Sequence, residues 1–146
     1  MYVQTAITLF NKRLSADRRE VYFPTCITGA SFFESKSSSH STDGAHSESL
    51  TYKLRIPVAA KVQDDKTYLS EMAFKALTAE EAADHWTIQK GDIVLACATE
   101  LTEPVAEPAL KELAKANLAD VITVKEYADN TIRGSKAVQH WRIGGE

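Results

Sequence analysis

The chain has 146 residues, a formal net charge of −3 and 44% hydrophobic residues, which predicts one folded domain spanning residues 1–146. The small negative charge gives no general argument for nucleic-acid binding, and no apolar run of about 18 residues predicts a membrane span. The first residues lack the pattern of a secretory signal, so we expect a protein made in the cytoplasm, with Cys26 and Cys97 reduced and buried.

The N-terminal quarter predicts two strands joined by a polar excursion. Residues 3–10 are rich in β-branched side chains, residues 11–20 are polar, and residues 21–23 resume the strand pattern. Pro24 cannot donate to a sheet ladder, which places it at an edge or a bulge. The polar excursion carries a basic group interleaved with acidic residues, which favours a hairpin tip or a protein contact over phosphate binding. The basic residues are Lys12, Arg13, Arg18 and Arg19.

A Ser-rich segment interrupts the apolar pattern. Residues 35–49 hold seven serines and no large apolar residue, so they cannot contribute to a core. We expect a long projecting loop at about residues 34–49, either mobile or ordered by a partner, or alternatively the tip of a projecting hairpin. Residues 50–56 alternate apolar and polar side chains and predict a strand that Pro57 ends.

The middle of the chain predicts two short helices and a hairpin. Ser70 is positioned to cap a helix over residues 71–77, and Thr78 with Glu81 matches a capping box. Residues 86–97 are predicted to form a strand, a tight turn and a second strand. This region is also acidic, since residues 71–128 carry five Lys/Arg and eleven Asp/Glu. A solvated helical face explains that surplus, although head-to-tail contacts between copies would use it too.

The C-terminal part predicts a third helix and two final strands. Residues 104–117 fit a helix, and residues 121–127 fit a strand antiparallel to residues 138–143. In the last strand we expect Trp141 to cover one end of the core, with His140 and Arg142 facing outward and the two following glycines releasing the chain. The whole pattern predicts a mainly β, α+β fold: a small antiparallel β-barrel or sandwich with two or three short helices.

No residue pattern predicts catalysis, a metal site or a cofactor. His40, Asp43 and His46 share the Ser-rich segment, but zinc sites and Ser-His-Asp triads require rigidly held groups. The tripeptide 90–92, Lys-Gly-Asp, resembles an adhesion motif, yet a tight turn alone accounts for Gly and Asp there. We therefore expect a protein that is not an enzyme.

Several segments in order resemble one family of proteins. ITLFNKR, VYFPTCITGASFF, YKLRIP, TIQKGDIV and the Asp-Asn turn followed by His-Trp are similar to small tailed-phage structural proteins of Gram-positive phages and prophages. The resemblance spans nearly the whole chain. It implies a head–tail connector component, of the head-closure or adaptor kind, that forms a ring between portal and tail in the virion neck. It implies no catalytic residues.

The expected partners follow from that resemblance. They are further copies of the chain in a ring of six or twelve, the portal or adaptor and tail proteins, and passively the DNA in the lumen, without membrane or small-molecule substrate. The alternatives are a tail-terminator or other tail-ring protein, and a cytoplasmic small-ligand or peptide-binding β-barrel. The expected assembly contacts are Lys12, Arg13, Arg18, Arg19, Phe32, Phe33, Lys36, His40, Asp43, His46, His140, Trp141 and Arg142.

Overall fold

A computed structural model describes residues 3–15, 17–40, 46–132, 134–135 and 138–146, with the backbone alone at 3–5, 33–40 and 46–50. The strands in these residues are β1 (Val3–Leu14), β2 (Glu20–His40), β3 (His46–Pro57), β4 (Lys61–Val62), β5 (Thr67–Tyr68), β6 (His85–Trp86), β7 (Ile93–Leu95), β8 (Val121–Asn130) and β9 (His140–Gly145). The helices are α1 (Glu71–Lys75), α2 (Ala79–Ala82) and α3 (Glu107–Ala116), with a 3-10 turn at Gln63–Asp65.

Six strands form a closed ring of antiparallel backbone pairings. Their order is β1-β7-β8-β9-β3-β2, and β2 pairs again with β1, while β4 lies on an edge of β2. Strands β5 and β6 form a separate parallel pair. The predicted mainly β, α+β class with three short helices is confirmed.

Strand β2 holds the sheet together because it has three partner strands. Its residues 20–32 pair with β1, residues 31–40 pair with β3, and Ile27 with Thr28 pair with β4. Pro24 lies on the stretch of edge between the bridge from Tyr22 to Val105 and the pairing with β4. The predicted edge position of this proline is confirmed.

The Ser-rich segment is largely strand, which corrects the expectation of a loop. The ladder between β2 and β3 runs from Ser31↔Arg55 to His40↔His46. Backbone hydrogen bonds extend the ladder through residues 35–40 and 46–49, which have no large apolar side chains, so composition alone misled the loop prediction. The antiparallel pairing of β2 with β3 agrees with the projecting hairpin that was also expected. Residues 41–45, including Asp43, lie outside the described residues. We call residues 33–40 and 46–50 the arm.

The predicted hairpin over residues 86–97 is wrong. The turn exists, since Asp92 N–H donates to the carbonyl of Gln89 at 3.2 Å and Gly91 has a φ of 90°. However, β6 pairs with β5, whereas β7 pairs with β1 and β8. Residues 87–92 therefore cross from the small sheet to the large one, and the side chains of Thr87, Ile88 and Gln89 are buried in this crossing.

The helix predictions are confirmed with small changes in length. Ser70 Oγ accepts the amide of Ala73 at 3.4 Å, and Thr78 with Glu81 forms the capping box. Helix α1 ends at Lys75, before the predicted residue 77. Helix α3 buries Leu110 and Ala114, as its predicted apolar face requires.

The interior of the ring is filled by apolar side chains. Its fully buried members include Ile7, Leu9, Ile27, Leu54, Ile56, Trp86, Ile88, Ile122 and Ile143. Trp141 is half-buried against this cluster, with ring centroids 4.9 Å from both Trp86 and Tyr68. The prediction that the last strand buries Trp141 against the core is confirmed.

Gly144 and Gly145 do not release the chain, which corrects another expectation. Both lie within β9, where they pair with Lys53 and Tyr52 of β3 on one side and with β8 on the other. A β-bulge in β8 between Val124 and Glu126 faces them. Gly145 is required there because the backbone of the neighbouring strand approaches too closely for a side chain.

Candidate functional site

A cleft of about 440 Å³ lies where the end of β1 meets α1 and the turn before β7. We call it the basic cleft, because four of its lining residues are cationic and three are acidic. The lining residues are Lys12, Arg13, Leu14, Glu20, Glu71, Lys75, Gln89, Lys90 and Asp92.

The rim of the basic cleft carries lysines in weak ion pairs. Lys12 Nζ lies 3.4 Å from Glu20 Oε1, and Lys75 Nζ lies 2.9 Å from Glu71 Oε1. These side chains are largely exposed, so each pair contributes under about 1 kcal/mol and exchanges easily for an external partner. Lys90 adds a third exposed ammonium group to the rim. The rim is therefore suited to carboxylate or phosphate groups of another molecule.

Arg13 is a wall of this cleft and is held by the chain itself. Its guanidinium donates to the carbonyl oxygens of Phe74 at 2.7 Å and Leu77 at 2.6 Å. It also lies 5.1 Å from the centroid of the Phe74 ring. Arg13 thus joins β1 to the end of α1. Its guanidinium is held by groups of the same chain, whereas a contact patch needs a charge that is free to bind another molecule.

The floor of the cleft is the buried carboxylate of Asp92, which is 0% exposed. It accepts hydrogen bonds from Asn11 Nδ2 at 2.8 Å, the amide of Lys12 at 2.9 Å and the amide of Gln89 at 3.0 Å. Gln89 Nε2 donates a fourth at 3.2 Å. Both carboxylate oxygens are therefore occupied by N–H donors, as a buried charge requires.

Asn11 extends this network across the crossing segment. Its Nδ2 donates to the carbonyl of Thr87 at 2.6 Å, and its Oδ1 accepts the amide of Thr87 at 3.2 Å. Asn11 is itself fully buried. Asn11 and Asp92 together fasten β1 to residues 87–92 and so fix the shape of the basic cleft.

Burial raises the pKa of Asp92 to about 6, since the loss of solvation outweighs the hydrogen bonds that favour the ionised form. On the other wall, hydrogen bonds from Lys75 and Tyr127 lower the pKa of Glu71. The Tyr127 hydroxyl donates to Glu71 Oε2 at 2.9 Å. Glu71 therefore stays ionised and held in place, whereas Asp92 changes charge near neutral pH.

A pH dependence of stability follows from Asp92. Its pKa is higher in the folded chain than its ordinary value of 3.8, so the folded chain binds a proton more tightly between these values. The contribution of Asp92 to the free energy of unfolding should be greatest below pH 4 and should decline by about 3 kcal/mol as the pH rises through 6. Urea unfolding of the unchanged chain and of Asp92→Asn, between pH 4 and 7, measures this. A difference between the two that does not vary with pH would contradict it.

The predicted contact residues fall in three places: the end of β1 with the turn after it, the arm with the residue before it, and β9. Lys12 and Arg13 lie in the basic cleft, and Arg18 and Arg19 are exposed in the turn between β1 and β2. Phe32 is half-buried and stacks on Tyr52 at 5.5 Å between ring centroids. The backbones of the following residues belong to the arm: Phe33, Lys36, His40 and His46.

The third place is β9. Arg142 is exposed as expected, whereas His140 is half-buried, with its Nδ1 2.9 Å from the carbonyl oxygen of Val138. The predicted set therefore does not form one site. Nothing in the sequence pattern singles out Asn11, Lys75 or Asp92, because each joins the cleft only through long-range packing.

The described part of the chain offers no cluster of three or more His, Cys, Asp or Glu side chains arranged to hold a metal ion. None of its described helices is long and apolar enough to cross a bilayer.

Residues 2–146 match the model of a family of unknown function, DUF6751, and the chain belongs to that family. No curated protein and no solved structure matches the chain.

Proposed function

We propose that this chain is a structural protein that assembles head-to-tail into a ring, as a head–tail connector component of a tailed phage. The observation that carries the proposal is the arm. Beyond the last pairings of β2 with β1 at Phe32 and of β3 with β9 at Tyr52, the ladder continues as two strands alone.

An uncovered ribbon of this length supports a partner outside the chain. Strand edges are templates for pairing with another strand, and folded proteins normally blunt or cover them. Elsewhere the stretches that pair with one strand only are shorter, such as residues 3–7 of β1 and 124–130 of β8. Among the described residues, the arm is the longest stretch of strand that pairs on one side only.

The basic cleft supports a second contact on a different surface. A ring requires two different surfaces on each copy, because its interfaces are heterologous. The arm supplies one of them, and the exposed lysines Lys12, Lys75 and Lys90 offer a further contact distinct from it. Repetition around a ring strengthens contacts that are individually weak. The resemblance to phage connector proteins supplies the biological setting, in the virion neck between portal and tail.

If the chain were a ligand-binding β-barrel, its ligand would have to bind on the outer surface, because the interior of the ring is filled. Packed side chains such as Leu9, Ile27 and Ile143 occupy the interior of the ring. A tail-terminator ring remains a second candidate within the same particle, since the same arm would serve it.

Native mass spectrometry across a concentration series, with negative-stain images, tests the proposal. We expect a closed ring of six or twelve copies. A chain that stays monomeric at every concentration would contradict self-assembly.

Shortening the arm should separate folding from assembly. The variant joins Ser35 to Thr51, which face each other in the ladder, through a two-residue Asn-Gly turn. Because the ring of strands is retained, the melting temperature should change by only a few degrees, whereas the population of rings should fall at least tenfold. Near-ultraviolet circular dichroism is the control for the fold. Rings that persist in a folded, shortened chain would refute the role given to the arm.

A further inference from the structure

We infer that the free edge of β4, with the groove beside it, receives the arm of a second copy of this chain. The inference rests on the proposed function and names the receiving surface. Three features of one molecule support it: the groove, the open edge of β4 and the projecting arm.

The groove beside β4 has a volume of about 480 Å³. Residues 58–60, Val62 and the charged Lys61, Asp65 and Lys66 line it together with Tyr68 and Trp141. Trp86 lies beneath them, 5.0 Å from Tyr68 and 4.9 Å from Trp141 between ring centroids. Because Trp86 is 1% exposed, this floor is a rigid part of the core.

The backbone beside the groove is suited to strand addition. Strand β4 pairs with Ile27 and Thr28 of β2 on one side, and no strand of the described residues pairs with its other side. Because β4 has two residues, an extended segment placed there gains about one or two backbone hydrogen bonds, and the rest of its contact is with the groove.

The arm matches this receiving edge in form and composition. It is already extended, so it loses little conformational freedom on binding. Residues 33–40 span about 23 Å, enough for a strand of seven or eight residues. Four of the six residues 35–40 are serine, and small side chains allow a close approach to a shallow groove.

One copy cannot place its arm on its own β4. Strand β2 links the two features, since it pairs with β4 at residues 27–28 and continues away from it into the arm from residue 33. Folding back would break the pairing of β2 with β1 or β3. The contact must therefore join different copies through two different surfaces, which propagates head-to-tail and closes as a ring when the rotation allows.

Blocking the groove tests the inference. Ala59 is exposed and lines the groove, so Ala59→Arg places a long charged side chain there without disturbing the core. We expect a tenfold or greater loss of rings in native mass spectrometry, with the melting temperature unchanged. The matched control is Ala109→Arg, on the exposed surface of α3, which should assemble normally. Rings retained by Ala59→Arg would overturn the groove as the receiving surface.

Tryptophan fluorescence gives an independent readout, because both tryptophans of the chain lie in this cluster. A synthetic peptide of residues 31–40, added to the arm-shortened variant, should shift the emission saturably, while a scrambled peptide should not. No shift would overturn the inference. Rings lost on shortening the arm but kept by Ala59→Arg would leave the proposed function standing, whereas rings kept by both variants would refute both proposals.

Discussion

Replacing Gly145 by alanine is expected to lower the free energy of unfolding by about 3 kcal/mol, because the new methyl group has no space. A Cβ atom at Gly145 would overlap the carbonyl oxygen of Thr123 and would lie 2.7 Å from Ile122 Cγ2. The backbone of β8 cannot rotate aside as a side chain can. Strands β8 and β9 would have to separate. Urea unfolding monitored by circular dichroism measures the loss.

The neighbouring glycine provides the matched control. A Cβ atom at Gly144 meets the side chain of Glu126, with Cγ and Oε1 both at 2.8 Å. Glu126 is exposed and can adopt another rotamer, so Gly144→Ala should cost under about 1 kcal/mol. Equal losses for the two substitutions would show that the cost comes from glycine's general flexibility and not from the close approach of β8.

Replacing Asp92 by alanine should cost about 3–4 kcal/mol at pH 4 and less at pH 7, because burial disfavours the ionised carboxylate. The substitution leaves the part-buried amide of Lys12 and the buried amide of Gln89 without the acceptor they have now, and each orphaned donor costs about 1–3 kcal/mol. Asn11 and the Gln89 side chain keep other acceptors, so they add less. Chemical unfolding at pH 4 and at pH 7 gives the two differences directly.

A carboxylate from the same cleft serves as its control. Glu20 pairs with Lys12 at the exposed rim, so Glu20→Ala should change stability by under about 1 kcal/mol. If the two alanine variants were equally stable, Asp92 would not be the group that fastens β1 to residues 87–92.

Local patterns predicted the elements that depend on neighbours in sequence. The Ser70 cap, the box of Thr78 with Glu81 and the apolar face of α3 are set by residues three or four apart, and all are confirmed. The strand over residues 50–56 was equally readable, because one of its faces is buried. Such signals are complete within a short window of sequence.

Features that depend on distant residues were not predictable. The pattern at residues 86–97 fits a hairpin, yet β6 finds its partner in β5 and β7 in β1. Asp92 reads as a turn residue, and only the approach of Asn11 from β1 makes it a buried network. The Gly144–Gly145 pair reads as a flexible end, and only the bulge of β8 gives it a steric role.

The position of β9 also has a consequence for folding. This strand lies between β3 and β8, and it pairs Tyr52 with Gly145 across most of the length of the chain. The hairpin of β2 and β3 is local and can form early during synthesis, but the ring closes only after β9 has been made. Such non-local closure is slow. A nascent chain would therefore expose the β2–β3 ladder before the ring of strands has closed. Where ribosomes making this protein lie close together, the exposed strands of unfinished chains would be able to pair with each other.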